Sequence, residues 1–277
     1  RSEYVKVMSY NVKLFDLYNY NKNWTYNFTN RNKIFRFIDE SQPDVLCLQE
    51  YFYDSENHFV TRDSLTSILK TKYYYEYFPF VKNIHHYGIA TFSKYPIINS
   101  GMIIFKNITH NSAIFSDIVV KNDTFRVYNA HLQSIKLNKE DFMFTSSDGN
   151  NSEDILNSDL AKDSKKMLQK LKSAYVLRAN QAELLNAHIR QSPYPVIVCG
   201  DFNDTPCSYT TRLISKNLID AFVASGRGFG QTYNGKMPSF RIDYILHDKI
   251  LESRGYKTVK SINASDHYPI FTYIKKQ

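Results

Sequence analysis

The sequence predicts an α/β (α+β) architecture in which two β-sheets pack face to face and helices cover the outer faces. Three observations carry that expectation. Strand-like runs far outnumber helical ones along the 277 residues, and many strands with few helices are best buried as two packed sheets. Aromatic residues make up 15% of the chain, almost all of them Tyr and Phe, which favour strands. Several runs are also apolar enough to be buried on both faces, and they end in polar side chains.

In chain order, residues 4–12 alternate apolar and polar and read as a strand ending at Asn11. Residues 13–28, rich in Asn and Tyr, read as loop. Thr29 or Asn30 is the expected cap of a helix through Ser41, with Ile34, Phe37 and Ile38 on one face. Pro43-Asp44 ends that unit, and residues 45–50 form a second buried strand that delivers a carboxylate at its carboxyl end. A helix is expected over 63–72 and an aromatic strand over 73–80, followed by strands at 87–93, 97–105, 113–121 and 124–132. Lys121-Asn122-Asp123 reads as a tight hairpin between the last two. Residues 136–165 are polar and charged and read as an insertion or partly helical excursion. A long amphipathic helix then runs to Gln191, with Leu168, Leu171, Leu177, Leu184, Leu185 and Ile189 as its apolar stripe. Residues 208–216 read as a short helix, and 226–230 as a flexible glycine loop without the strand and helix that a phosphate cradle needs. Strands at 241–246, 251–262 and 268–274 close the chain. No repeat or linker divides it, so residues 1–277 are expected to form one domain.

A net charge of +8, from 35 basic and 27 acidic residues, favours an anionic partner: nucleic acid, a phosphorylated metabolite or an anionic membrane surface. Lysine serving simply as a solubilising residue would give the same balance. The three cysteines form neither a zinc pattern nor a disulfide framework. Cys47 and Cys199 sit in apolar runs as small hydrophobes, a bridge between them being the one pairing left open. No run approaches the roughly 18 apolar residues of a membrane span. A soluble domain is therefore expected. The opening Arg1-Ser2-Glu3 lacks an initiator Met and reads as a trimmed or processed start, which leaves room for a membrane anchor or export signal ahead of it.

The chain is organised around Pro195-Val196-Ile197-Val198-Cys199-Gly200-Asp201-Phe202-Asn203. Four apolar residues fenced by Pro and Gly read as a buried strand, and Asp201 and Asn203, two apart in extended chain, point the same way. A carboxylate and an amide aimed together suit water activation and contact with phosphate oxygens. An Asx turn that merely ends the strand is the alternative. Polar residues recur at other strand ends: Asn11, Gln49-Glu50, His131, Asp243 and Ser265-Asp266-His267.

Ser9-Tyr10-Asn11-Val12, Leu48-Gln49-Glu50, Asn129-Ala130-His131-Leu132, Gly200-Asp201-Phe202-Asn203, Arg241-Ile242-Asp243-Tyr244 and Ser265-Asp266-His267-Tyr268-Pro269, in this order, resemble the successive motifs of the endonuclease/exonuclease/phosphatase superfamily, the deoxyribonuclease-I-like fold. The resemblance spans almost the whole chain and implies a four-layer sandwich with two mostly antiparallel sheets. It also implies a hydrolase of phosphate esters. Glu50 is the natural hard-oxygen ligand for Mg2+ or Mn2+, with Asn11 beside it and Asp266 as a further ligand. By resemblance, Asp201 orients or deprotonates the attacking water and Asn203 helps hold water and phosphate. His267 hydrogen-bonds a phosphate oxygen with Asp243 fixing its tautomer, and His131 contacts the phosphate. Arg178 and Gln181, three apart on the long helix, resemble a pair common in the superfamily and read as structural.

The resemblance fixes the reaction class rather than the leaving group. Tyr244 stands where phosphoinositide 5-phosphatases place an Arg. Residues 204–208 look like the run of deadenylase-like, sphingomyelinase-like and many bacterial members rather than that of abasic-site endonucleases. The expectation is a monomeric, divalent-metal-dependent phosphodiesterase with nucleic acid as its favoured substrate. The alternatives are a phosphatase or phospholipase-C-like hydrolase of a phosphorylated lipid or small metabolite, and a non-catalytic binding module on the same fold. The complete acid, base and metal set speaks against the last.

Overall fold

Strand-forming runs assemble into two six-stranded sheets in a computed structural model, which describes residues 3–105, 110–135, 156–235 and 240–277. The first half of the chain supplies β1 (Val5–Asn11), α1 (Thr29–Ser41), β2 (Val45–Asp54), α2 (Arg62–Leu69), β3 (Tyr73–Lys82), β4 (His85–Ser93), β5 (Ile97–Ile103), β6 (Ser112–Val120) and β7 (Asp123–His131). The second half supplies α3 (Leu156–Arg190), β8 (Val196–Asp201), α4 (Tyr209–Ser215), β9 (Leu218–Asp220), α5 (Ala221–Ser225), β10 (Asp243–Asp248), β11 (Leu251–Thr258) and β12 (Ile270–Lys276).

One sheet runs β11-β12-β1-β2-β4-β3 and the other β5-β6-β7-β8-β10-β9. Each is antiparallel except for one central parallel pair, β1 with β2 and β7 with β8. The expected architecture is therefore the one observed. The two parallel pairs matter because they bring the carboxyl ends of four central strands to one edge of the sandwich.

Alternation along the strands builds three apolar layers. Val5 and Val7 of β1, Cys47 of β2, Val127 of β7, Ile197 and Cys199 of β8 and Ile245 of β10 meet between the sheets. Met8, Tyr10, Leu46 and Leu48 face the other way, against Ile34 and Ile38 of α1 and Leu65 of α2. Val196, Val198 and Leu246 face outward under Ala182, Leu185 and Ile189 of α3. Cys47 and Cys199, both buried in the middle layer, are free thiols, and burial pushes the Cys199 thiol well up from its usual range.

Several local expectations are corrected. Neither Thr29 nor Asn30 caps α1; the Asn27 side chain accepts from the Thr29 amide at 3.0 Å instead. Gln42 ends that helix in the left-handed region, its N–H donating to the Ile38 carbonyl at 2.8 Å. Most of the 136–165 excursion lies outside the described residues, but its end is already helix from Leu156. Leu168 leaves the apolar stripe of α3, being 70% exposed, while Ala174, Arg178 and Ala182 join its buried face. The strand expected from residue 87 starts two residues earlier, at His85, and the rings of His85 and His86 pack on Phe52 and Phe78.

Arg178 is fully buried, its Nε donating to Asp204 Oδ2 at 3.1 Å and its Nη1 to the Gln133 carbonyl at 2.8 Å. Gln181 Oε1 accepts from the Gln133 amide at 2.8 Å, so one helix face clamps the segments that follow β7 and β8. Removing one partner of a buried ion pair strands the other charge, which costs several kcal/mol. Arg178→Ala is expected to lose about 3–5 kcal/mol of stability, read as a lower urea midpoint at unchanged slope. A midpoint equal to wild type would show that this pair does not hold the loops.

Candidate active site

The inner-face periodicity that buries Val5, Val7, Ile197 and Cys199 continues through Ser9 to Asn11 in one strand and directly to Asp201 in the other, at the same edge of the sandwich. Asp201 pairs in register with His131 on one side and Asp243 on the other. Gly200 permits this close approach: a Cβ there would lie 2.0 Å from the Ala130 carbonyl oxygen on the neighbouring strand.

Glu50 reaches the same edge by a different route. Simple alternation along β2 would turn it outward with Leu46 and Leu48, toward α1. Its backbone is instead left-handed, with φ 48°, and the register with β4 shifts between Leu48 and Tyr51. This bulge re-aims the carboxylate into the cleft, a use bulges commonly serve. Beneath it Gln49 Nε2 donates to Asn129 Oδ1 at 2.7 Å, tying the two sheets together.

Lys13–Asp16 follow β1 as four consecutive left-handed residues, with φ 48°, 52°, 56° and 59°. Such a turn costs roughly 1–2 kcal/mol per residue. It is anchored by Phe15, wholly buried against Phe35 and Tyr51. The turn swings Lys13 over the cleft, its Nζ 3.6 Å from Asp266 Oδ2.

Asn11 is fully buried and donates Nδ2 to Glu50 Oε1 at 3.1 Å and to Asp201 Oδ2 at 3.0 Å. Its Oδ1 accepts from the Lys13 amide at 3.0 Å, so the nitrogen, not the oxygen, faces the carboxylates. Asp201 Oδ1 also accepts from the Asn203 amide at 2.8 Å. The Asx turn left open by the sequence is thus present, and Asn203, at φ 53°, has left extended geometry. Its Nδ2 donates to the Leu132 carbonyl at 3.0 Å while the residue still lines the cleft.

His267 Nδ1 lies 2.9 Å from Asp243 Oδ2, and its Nε2 is 3.6 Å from Asp201 Oδ2. Burial alone would lower the His267 pKa, but Asp243 and then Asp201 override it and hold the ring at about 10. Burial raises the Asp201 carboxyl, with His267 pulling in the opposite sense. Asp201, Asp243 and His267 present ligand atoms within 4.8 Å of one another. A ring protonated beside Asp243 has no lone pair for an ion, whereas a neutral ring would complete an Asp-Asp-His ligand set. His131 Nε2 is buried with no hydrogen-bond partner and stands 3.8 Å from both Glu50 and Asp201.

Glu50 and Asp266 are the partly exposed carboxylates of the cleft, at 36% and 31% side-chain exposure. Hard oxygen donors open to solvent at one edge suit a Mg2+- or Mn2+-type ion, which keeps several waters. The cleft itself is about 650 Å³, floored by Glu50, Asp201 and His267 and walled by Tyr233 and Phe240. All eight candidate residues are thus gathered around one space. Lys13 and Tyr233 escaped the sequence reading. The first depends on an unsignalled left-handed turn, and the second comes from a loop that pairs with His267 through an isolated bridge.

The fold gathers this cleft of carboxylates and histidines at one end of two stacked sheets. Residues 8–167 and 170–267 match the family model described as the endonuclease/exonuclease/phosphatase family, and the chain belongs to that family. Members are phosphoesterase hydrolases, and this chain is an enzyme of that class. Among solved structures, the human nocturnin catalytic domain with bound sulfate superposes with a TM-score of 0.66 at 20% identity, covering 100% of this chain and 96% of that one. An endonuclease/exonuclease/phosphatase from Bacteroides vulgatus gives 0.68 at 16% identity, with 99% of each chain covered. The mannosyl-6-phosphatase Bt3783 of Bacteroides thetaiotaomicron gives 0.63 at 14% identity, covering 98% of this chain and 99% of that one. No curated protein matches the chain in sequence. Among the described residues no helix is long and apolar enough to cross a membrane.

Proposed function

We propose that the chain acts as one domain and as a divalent-metal-dependent phosphodiesterase, with nucleic acid as its substrate and water attacking phosphorus in line with the leaving oxygen. The observation that carries this reading is the convergence of the buried Asp201 and the Asp243–His267 pair with the open Glu50 and Asp266 carboxylates. Glu50 and Asp266 are the residues that would hold Mg2+ or Mn2+, and Asn11 orients Glu50 through its amide nitrogen. When bound, the ion supplies Lewis-acid polarisation of the phosphoryl oxygens and a template for the reactants.

The remaining work falls to the chain itself. Asp201, raised by burial yet held by Asn11 and Asn203, accepts the proton of the attacking water. His267, kept protonated by Asp243, donates from Nε2 to a phosphate oxygen and stabilises charge as it develops. The unpartnered His131 Nε2 offers a second donor to the same group. Asn203 closes that side of the cleft. The basic balance of +8 favours a polyanion over a neutral-bodied metabolite.

A matched panel of single-stranded DNA, RNA, a phospholipid and a sugar phosphomonoester, each with Mg2+, Mn2+ or EDTA, tests the substrate class. A polynucleotide is expected to show the highest kcat/KM, with no turnover in EDTA. Fastest turnover of the monoester or the lipid would replace this reading by a phosphatase or a phospholipase-C-like activity.

A further inference from the structure

A second cavity, of about 680 Å³, is lined by the glycine loop after α5 and by residues at the end of β11. Arg227, Lys257 and Lys260 bring three cationic side chains to it, and among the described residues no Asp or Glu lines it. None of the three forms an ion pair among the described residues. Cations gathered without counter-charges repel one another, and an anion in the cavity would relieve that repulsion.

The cavity adjoins the catalytic cleft. Lys260 Nζ donates to Gln231 Oε1 at 3.0 Å, and Gln231 Nε2 donates to the Tyr233 carbonyl at 3.0 Å. Tyr233 pairs with His267 in the cleft wall. Gly230 in one wall and Tyr233 in the other are three residues apart, hence no more than roughly 11 Å along the backbone. At the loop tip Phe229 is entirely exposed between Gly228 and Gly230, whose φ values are 77° and 66°. A Cβ at Gly230 would lie 2.6 Å from the Phe222 ring, so the loop is closely seated on α5 and its tip is presented by design of the backbone.

We propose that this cavity is a docking subsite for a single-stranded polynucleotide, reached by the same strand whose scissile phosphate lies in the cleft. Phe229 stacks a base, while Arg227, Lys257 and Lys260 contact backbone phosphates, the pairing of ring and cation that single strands require. The inference rests on the phosphodiesterase reading of the cleft. A chain-like polyanion fits better than a bilayer, because the cations surround a concavity and a single ring stands at its rim.

The test compares wild type with R227E/K257E and with Phe229→Ala. A control, K72E/K121E, reverses two exposed lysines elsewhere and so matches the charge change. Turnover of bis(4-nitrophenyl) phosphate reads the cleft alone. Fluorescence anisotropy with a labelled single-stranded oligonucleotide, in EDTA and over a salt series, reads the subsite. Small-diester turnover is expected to be unchanged in every variant. R227E/K257E should weaken oligonucleotide binding at least 10-fold more than the control and flatten the log affinity–log salt slope by about 1.4, for two lost phosphate contacts. Phe229→Ala should weaken binding at least 5-fold with the slope unchanged. Equal affinity and slope in wild type and R227E/K257E would overturn the proposal. A wild type inert on the small diester would sink the cleft reading alone, the anisotropy still deciding the subsite.

Discussion

Asp201→Asn is expected to lower turnover of a small phosphodiester by about 10²–10⁴-fold while leaving the fold intact, because that range is what a positioned general base contributes. The amide keeps the size of the side chain, but its one oxygen can accept from either Asn11 or the Asn203 amide and not both, and it cannot take a proton. Burial already disfavours the ionised carboxyl, so a neutral replacement removes an electrostatic cost from the folded state. His267 keeps Asp243, its nearer partner at 2.9 Å. The protein should therefore stay folded with a stability loss of about 1–3 kcal/mol, the cost of one buried donor left without its acceptor. Steady-state kinetics with circular dichroism on the same sample checks both halves. Wild-type turnover in the Asn variant would remove Asp201 from the chemistry, and a collapsed fold would make its role structural.

The second large effect concerns Glu50. Losing a residue that merely supports a metal ligand typically costs 10–100-fold in affinity, so losing the ligand itself should cost more than about 100-fold. Glu50→Gln keeps the shape and the Asn11 contact and removes the charge. Calorimetric titration with Mn2+ should show binding to wild type and no resolvable binding to the variant, with turnover falling in step. The readout also separates two locations within the cleft. Undiminished Mn2+ affinity in Glu50→Gln would move the ion to Asp201, Asp243 and His267, and would require that ring to be neutral.

Much of this site was legible because its residues end regular elements. The apolar run of β8, bounded by Pro195 and Gly200, could hardly be anything but a buried strand, and period-two alternation then fixed which face Asp201 would share. Asn11, His131 and Asp243 stood at the ends of other strands, and it was their order, resembling the family's successive motifs, that marked them as site residues. What could not be read depends on left-handed backbone in residues that carry no glycine-like signal. Glu50 sits at such a point, and periodicity alone points it away from the cleft. The Lys-Leu-Phe-Asp turn after β1 is stabilised by the tertiary burial of Phe15 rather than by turn chemistry, so it read as loop and hid Lys13. The extended geometry assumed for Asn203 failed for a related reason: Asp201 bonds the Asn203 amide, and a local side-chain bond overrode the strand. The short β9 and α5 escaped because three- and five-residue elements carry too little pattern to detect.

Hydrolysis of bis(4-nitrophenyl) phosphate by wild type, first stripped with EDTA and then reconstituted with Mg2+ or Mn2+, beside Asp201→Asn and Glu50→Gln, tests the central claim most directly. Turnover should vanish on stripping, return with either ion in wild type and stay at least about 100-fold lower in both variants. Turnover that survives EDTA, or that returns in both variants as in wild type, would contradict a metal-dependent phosphodiesterase centred on Asp201 and Glu50.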